Sequence, residues 1–330
     1  MKLFHTALLA ALSLPTLAQA NDSTAGVSAG GIVLRKTDAI AMKKEVLSVS
    51  RQVIKVDYEF LNETDADVDE TIAFPLPAYP ATNRQWQTYY GQPPGFVINV
   101  DGKPVKFTTR LEAVLGKRNV TEQLRQAGLS DAQIAYNPGF HMVKEVPLTP
   151  AQKTRLGKLG LYGDQDGEPD SRLWSVEVNY VWSQKFPAHK VVKVHHAYSP
   201  FVDNGPGVSD LKPDFEKRYC ADKGFLNAWH HVAKKNKTDS VTAEYVSYIL
   251  KSGNNWKNGI EDFTLNVIKQ DPVELVSLCF PGKFTKVDAT TYQVHLTNFH
   301  PKEDLAIYFG NLQMNNRDQA HDGVMPALTR

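Results

Sequence analysis

The segment from Val53 to Phe60 reads Val-Ile-Lys-Val-Asp-Tyr-Glu-Phe, and it decides the fold class. From Ile54 onward an apolar side chain stands at every second position, so these side chains share one face of an extended chain. This period of two is typical of a β-strand that buries one face. A polar turn follows, and a second strand-like run over residues 68–74 is stopped by Pro75.

The same order of strand, short polar turn and strand returns three times along the chain. Each copy ends at a proline, which cannot donate to a strand ladder, or at a glycine, which weakens a strand. This rhythm predicts an antiparallel β-sandwich. The copies pair residues 174–180 with 191–198, 263–267 with 275–278, and 292–296 with 305–309.

Helical patterns interrupt the strands in two regions. Residues 120–127 and 149–161 predict helices, and the second opens with an N-cap threonine followed by proline at the first helical position. We therefore expect a helical insertion at about 109–170. A further helix is predicted over 224–235.

The predicted fold class is all-β, with two antiparallel sandwich-like (Ig-like) units and the helical insertion in the first. The first unit covers residues 21–202, the second covers 203–310, and residues 311–330 form a flexible tail because they are polar and lack periodicity. The alternative is one extended assembly with shared strands. Residues 203–207 could be a loop or a boundary in either arrangement.

The N-terminus has the pattern of a secretory signal peptide. A short basic start precedes an apolar run over residues 3–14, and residues 18–20 (Ala-Gln-Ala) form a small-x-small cleavage site. The alternative is an anchor helix, but the apolar run is too short to span a bilayer. We expect cleavage between Ala20 and Asn21 to remove residues 1–20. The remaining chain is expected to be soluble and to lack a transmembrane segment.

Composition narrows the function classes. The 37 Lys+Arg residues balance 36 Asp+Glu residues, so no global field favours nucleic acid.

The chain has two cysteines, Cys220 and Cys279. Export places them in an oxidising compartment, where they are expected to pair, and a loop of this length gives a bridge worth roughly 4 kcal/mol. Two separate buried thiols are the alternative.

Four segments of the chain carry a family resemblance. They are SAGGIVL at 28–34, VDYEF to FPLP at 56–77, YVWSQKFPA to HHAYSP at 180–200, and YILKSGNNW at 248–256. Together they resemble a bacterial exported family of unknown function, domain-of-unknown-function family 4424. The resemblance implies a periplasmic location in Gram-negative bacteria, and it implies no activity and no catalytic residues.

Motifs with known chemistry are incomplete in this sequence. Gly26–Gly30 matches the G-x-S-x-G pattern of hydrolases, but strand-like residues follow it where a nucleophile elbow needs a helix. The acidic runs 65–70 and 164–170 lack the glycine and glutamate spacing of a calcium loop. Neither His195-His196 nor His230-His231 can present two imidazoles to one ion, because adjacent residues point in different directions. We therefore expect no metal, no cofactor and no catalytic residue.

The best surface candidate is a polar, Gly/Pro-rich segment that carries Trp86, Tyr89 and Tyr90. Exposed aromatic anchors favour recognition, although packing onto the sandwich is the alternative. We expect a non-enzymatic binding or protein-interaction module whose partner is an envelope protein or a small ligand. A periplasmic enzyme with a spatially assembled site, or a structural subunit of an envelope assembly, are the other possibilities.

Overall fold

The structure is a computed structural model, and it describes residues 22–28, 31–81, 95–135, 147–165, 167–200, 202–205, 213–237 and 241–312. Strands dominate this part of the chain. In chain order they are β1 (Ser23–Ser28), β2 (Gly31–Arg35), β3 (Ile40–Val49), β4 (Ile54–Asn62), β5 (Val68–Pro75), β6 (Tyr79–Pro80), β7 (Val97–Val100), β8 (Lys103–Pro104), β9 (Thr108–Leu115), β10 (Arg118–Asn119), β11 (Tyr162–Gln165), β12 (Glu168–Arg172), β13 (Ser175–Phe186), β14 (Val191–Tyr198), β15 (Val202–Gly205), β16 (Ala243–Tyr248), β17 (Lys257–Ile268), β18 (Leu275–Leu278), β19 (Thr285–Lys286), β20 (Thr291–Phe299) and β21 (Leu305–Gly310).

The helices are short. They are α1 (Thr121–Gln126), α2 (Asp131–Ile134), α3 (Pro150–Lys158), α4 (Pro213–Tyr219) and α5 (Lys223–Lys235), with a 3-10 helix at Lys251–Asn255. The described residues contain no helix with the length and apolar character needed to cross a membrane. The all-β prediction is confirmed, and the closer likeness to immunoglobulin domains stays a prediction.

Three large sheets build most of the described structure, and β11 and β12 form a fourth sheet of two strands. The eight-stranded sheet has the order β19-β20-β17-β3-β4-β14-β7-β8, the seven-stranded sheet has β10-β9-β13-β5-β1-β2 with β6 beside β13, and the four-stranded sheet has β15-β16-β21-β18. Neighbouring strands run antiparallel except β3 and β17, which are parallel. That pair brings together residues 40–49 and 257–268. Strands from both predicted units therefore share one sheet, and the boundary near residue 203 stays a prediction.

The four predicted strand-turn-strand units connect different sheets. β4 belongs to the eight-stranded sheet and β5 to the seven-stranded sheet, and the other three units also change sheet across turns of four to six residues. The turn between β4 and β5 is stabilised by the Asn62 amide. Its Nδ2 donates to the carbonyls of Ala66 and Phe186, both at 2.8 Å. Each turn is thus an arch over the core rather than a hairpin.

One hydrophobic core lies between the sheets. It contains the inward side chains of β4, whose burial alternates along the strand as the sequence predicted. The Phe60 and Phe186 rings, from the eight-stranded and seven-stranded sheets, lie 6.0 Å apart. Ile307 of the four-stranded sheet belongs to the same core. A second cluster packs Tyr219 and Trp229, from α4 and α5, around Tyr308 of the four-stranded sheet.

The predicted helical insertion at 109–170 is only partly helical. The helices α1 and α3 occupy the two expected places, and α3 begins with a capping box at Thr149. However, residues 108–115 form β9, which pairs with β13, and residues 162–172 contain the hairpin β11–β12. The Leu-Glu-Ala-Val-Leu run at 111–115 has high helix propensity, but pairing with β13 and burial of Ala113 override it.

The C-terminal region contains the expected helix and bridge. α5 covers the predicted residues 224–235, and the Asp222 side chain caps it by accepting from the Phe225 N–H at 2.7 Å. A disulfide joins Cys220 to Cys279, with their Cα atoms 4.9 Å apart. It links the end of α4 to the chain just after β18.

Candidate functional site

An open groove lies on the outer face of the eight-stranded sheet, the face that points away from the core. Its volume is about 550 Å³. Strands β3, β4 and β14, together with the turn between β7 and β8, form its walls. The lining residues are Lys44, Val46, Asp57, Tyr58, Glu59, Asn99, Gly102, Lys193, Val194 and His195.

The groove is polar because of the strand periodicity that defined the fold. On β4 the side chains of Val56, Tyr58 and Phe60 are buried, so Asp57 and Glu59 point to the opposite face. Neighbouring strands add their own outward residues at matching positions. The groove is thus a set of cross-strand rows of polar side chains.

The first row contains two lysines and one glutamate. Lys44 on β3 and Lys193 on β14 both lie directly across from Glu59 on β4. The Lys193 ammonium is 3.1 Å from Glu59 Oε1. With two ammonium groups for one carboxylate, this row has a net positive charge.

The second row pairs a carboxylate with an imidazole. Asp57 lies between Val46 on β3 and His195 on β14, and Asn99 on β7 lies beyond His195. His195 Nδ1 is 2.7 Å from Asp57 Oδ1, and the side chains are 35% and 63% exposed. This row contains a carboxylate and no ammonium group, so it is less positive than the first row.

This chemistry suits binding through ion pairs and hydrogen bonds. A carboxylate that orients an imidazole is also the arrangement of a catalytic base. However, the described residues that line the groove include no serine, threonine or cysteine to act as a nucleophile. The charged side chains of both rows are partly exposed, so a dissolved ligand can reach them.

A second polar cluster is sealed inside the core. His196, the neighbour of His195, points inward and is 0% exposed. Its Nε2 lies 3.0 and 3.1 Å from the two carboxylate oxygens of Asp22, which is also buried. The rings of Phe74 and Trp182 pack on the imidazole, with centroids 5.0 and 5.5 Å away. Burial raises the pKa of Asp22, and His196 opposes that rise.

The buried cluster joins elements of all three large sheets. The hydroxyl groups of Tyr58 and Tyr248, from the eight-stranded and four-stranded sheets, are 3.0 Å apart. The Trp256 indole donates to the carbonyl of Asp22, and Asn255 Nδ2 donates to Ser23 Oγ at 2.9 Å. Burial raises the pKa of both tyrosines well above its ordinary value. We interpret this cluster as a structural junction that fixes the N-terminal strand.

The comparison with protein families identifies the chain. The family described as domain of unknown function DUF4424 matches residues 20–308. The chain belongs to the DUF4424 family. The family description assigns no activity, so any function must come from the site itself.

Comparisons with solved structures add distant likenesses of the fold. A crystal structure titled "putative nutrient binding protein" from Legionella pneumophila matches at 16% identity and a TM-score of 0.45, covering 88% of this DUF4424 chain and 70% of its own. Yeast LTA4 hydrolase matches at 10% identity and a TM-score of 0.26, covering 83% of this chain and 29% of its own. Both likenesses are too weak to carry a functional argument. No curated protein matches the chain.

The structure of this DUF4424 protein tests some of the predicted sites and leaves others open. The Cys220–Cys279 disulfide is present, and it is not part of the groove lining. Trp86, Tyr89 and Tyr90 lie outside the described residues, as do Ala20 and Asn21 and the tail beyond residue 312. The recognition role of the aromatic segment therefore stays a prediction.

The motifs that the sequence left incomplete lack the structural context they would need. Ser28 ends β1, which forms a hairpin with β2 in place of a strand-to-helix elbow. His195 and His196 lie on opposite faces of β14, as the alternation predicted. Within the described part of the chain, no three His, Cys, Asp or Glu side chains are placed to hold a metal ion.

Sequence reasoning missed the groove and the buried junction. The signal for the groove was present, because Asp57 and Glu59 occupy the outward positions of the segment that decided the fold. The signal for the buried junction was Glu45. This carboxylate is buried, and it lies in line with the inward residues Leu47 and Val49 of β3. Which outward residues converge depends on strand order, and no local pattern contains that information.

Proposed function

We propose that this DUF4424 protein is a binding protein of the bacterial periplasm, and that its ligand site is the groove on the outer face of the eight-stranded sheet. The observation that carries the proposal is the pair of adjacent charged rows, around Glu59 and around Asp57, in an open groove of about 550 Å³. Mixed charges at fixed spacing give orientation and specificity to a polar ligand. Recognition of an envelope protein through the same groove is the alternative.

The first part of the proposal is export to the periplasm. It is supported by the apolar run over residues 3–14 and by the small-x-small site at 18–20. Intact-mass spectrometry of protein from the periplasmic fraction is expected to show a chain that begins at Asn21. A chain that keeps residues 1–20 and stays with the membrane fraction would contradict it.

Native mass spectrometry tests the binding half. Protein purified from the periplasm is expected to retain a small molecule that a Lys44→Gln/Asp57→Asn variant loses, because that variant removes one charge from each row. Lys55→Gln is the matched control, since Lys55 is an exposed residue of β4 that does not line the groove. Equal retention by both variants would place the ligand elsewhere.

A hydrolytic enzyme is the second candidate, and the His195–Asp57 pair is the observation that favours it. In that case His195→Asn would abolish turnover while ligand binding persists, because the imidazole would activate water as a general base. Under the binding proposal, no chemical change of a retained ligand is expected with either protein. Mass analysis of the ligand after incubation separates the two.

A further inference from the structure

We infer that the ligand of the groove is a small zwitterion whose cationic and anionic groups lie about 6–7 Å apart, of the size of a dipeptide. This inference rests on the proposed binding function and names its substrate class. It follows from the charges of the two rows and from the distance between them.

The rows differ in net charge, and the lysine row is the more positive of the two. The Lys44–Glu59–Lys193 row has one ammonium more than it has carboxylates, and the Asp57–His195 row has a carboxylate opposite an imidazole. A ligand carboxylate is thus favoured at the lysine row and a ligand ammonium at Asp57. A ligand with one charge would satisfy one row and desolvate the other without compensation.

Strand geometry sets the spacing of the rows. Glu59 and Asp57 are two residues apart on β4, and so are Lys193 and His195 on β14. Two residues of an extended strand span roughly 6.6–6.8 Å. The termini of an extended dipeptide are separated by about the same distance. The ligand would therefore lie along the strand direction, with one end at each row.

The groove has further features that suit such a ligand. The Asn99 amide, across from His195, can donate to and accept from a peptide group. Gly102, which also lines the groove, adopts φ +77°, and no atom lies within 4 Å of the position that a β-carbon would take there, so the turn leaves space for a ligand.

Isothermal titration calorimetry with three matched probes tests the inference. The probes are glycylglycine, N-acetylglycylglycine, which lacks the ammonium, and glycylglycinamide, which lacks the carboxylate. Glycylglycine is expected to bind about three- to fivefold more tightly than either blocked probe, because each blocked probe loses one ion pair in a partly exposed groove. Equal affinity of all three probes would overturn the zwitterion class.

Variants of the two rows test the orientation. Lys44→Gln is expected to weaken the binding of glycylglycine by about three- to fivefold and to leave the binding of glycylglycinamide unchanged, because only the first probe has a carboxylate for Lys44. Asp57→Asn is expected to weaken the binding of glycylglycine and to leave the binding of N-acetylglycylglycine unchanged. Lys55→Gln should change none of them. The opposite selectivity of the two variants would overturn the orientation.

The outcomes separate this inference from the proposed function. If no probe binds at millimolar concentration while the Lys44→Gln/Asp57→Asn variant still loses its periplasmic small molecule, the zwitterion class is wrong and the binding function stands. If that variant retains the small molecule as well, the proposed function itself is wrong.

Discussion

At the residue scale, two adjacent histidines have opposite environments. His196 is buried against Asp22, whereas His195 lies in the groove against the largely exposed Asp57. We expect His196→Ala to lower the free energy of unfolding by about 3–5 kcal/mol, because it removes the imidazole that pairs with the buried Asp22 carboxylate. Urea denaturation followed by circular dichroism measures this loss.

His195→Ala is the matched control, and it should cost no more than about 1 kcal/mol, since exposed ion pairs contribute little. A double change of the buried pair, Asp22→Leu with His196→Phe, is expected to be less harmful than His196→Ala, because no buried charge remains. Equal losses for His195→Ala and His196→Ala would contradict the junction.

At the scale of elements, the disulfide holds α4 and α5 against the four-stranded sheet. Replacing Cys220 and Cys279 with serine is expected to cost about 4 kcal/mol, which is the loop-closure entropy of a bridge with a sequence separation of 59. Hydrogen exchange should increase most in α4, α5 and β18, where loss of the bridge also permits local opening, and less in β4 and β14, which exchange only through global unfolding. A uniform increase over the whole chain would show that the bridge is not local.

The N-cap of α5 is a smaller element-scale contribution. Asp222 accepts from the Phe225 N–H, so Asp222→Ala is expected to cost about 1 kcal/mol. Thermal denaturation of Asp222→Ala and Asp222→Asn measures it, because asparagine retains the acceptor. If the two variants melt alike and well below the parent protein, the charge rather than the cap is responsible.

At the scale of the whole molecule, the buried tyrosines predict unfolding in alkali. Burial raises their pKa above the value of about 10 that the unfolded chain has, so the folded protein keeps protons that the unfolded chain releases. Stability is therefore complete below pH 10 and falls as pH rises, by about 1.4 kcal/mol per pH unit for each tyrosine. The residues are Tyr58, Tyr79, Tyr180, Tyr198, Tyr248 and Tyr308.

Absorbance of tyrosinate and circular dichroism, recorded together from pH 9 to 13, check this prediction. Most of the tyrosinate signal of the buried residues is expected to appear in the same transition as the loss of β structure. Ionisation of these tyrosines at pH 10 with the β signal intact would contradict it.

The shared sheet predicts one cooperative unfolding transition. β3 and β17 pair across the predicted boundary, and one core contains residues of all three large sheets. A fragment of residues 21–202 is therefore expected to lack a cooperative melt, because it would expose the edge of β3 and one side of the core. A folded fragment would support two separate units.

The sequence predicts the local features of this protein well and its long-range strand pairing poorly. The alternation in residues 53–60, the Thr-Pro opening of α3 and the presence of two cysteines are each local or compositional. They determined the strand faces, the helix start and the disulfide. In contrast, residues 111–115 have the propensity of a helix and form a strand, since their partner β13 lies more than 60 residues away.

The sequence by itself thus determined the all-β class, the faces of the strands and the pairing of Cys220 with Cys279. Only the tertiary structure decided that each predicted turn crosses between sheets, that β3 pairs with β17, and that Asp57 faces His195. The physical reason is that a period of two fixes which way a side chain points. Every strand presents the same backbone donors and acceptors, so its neighbour is chosen by the packing of the whole core.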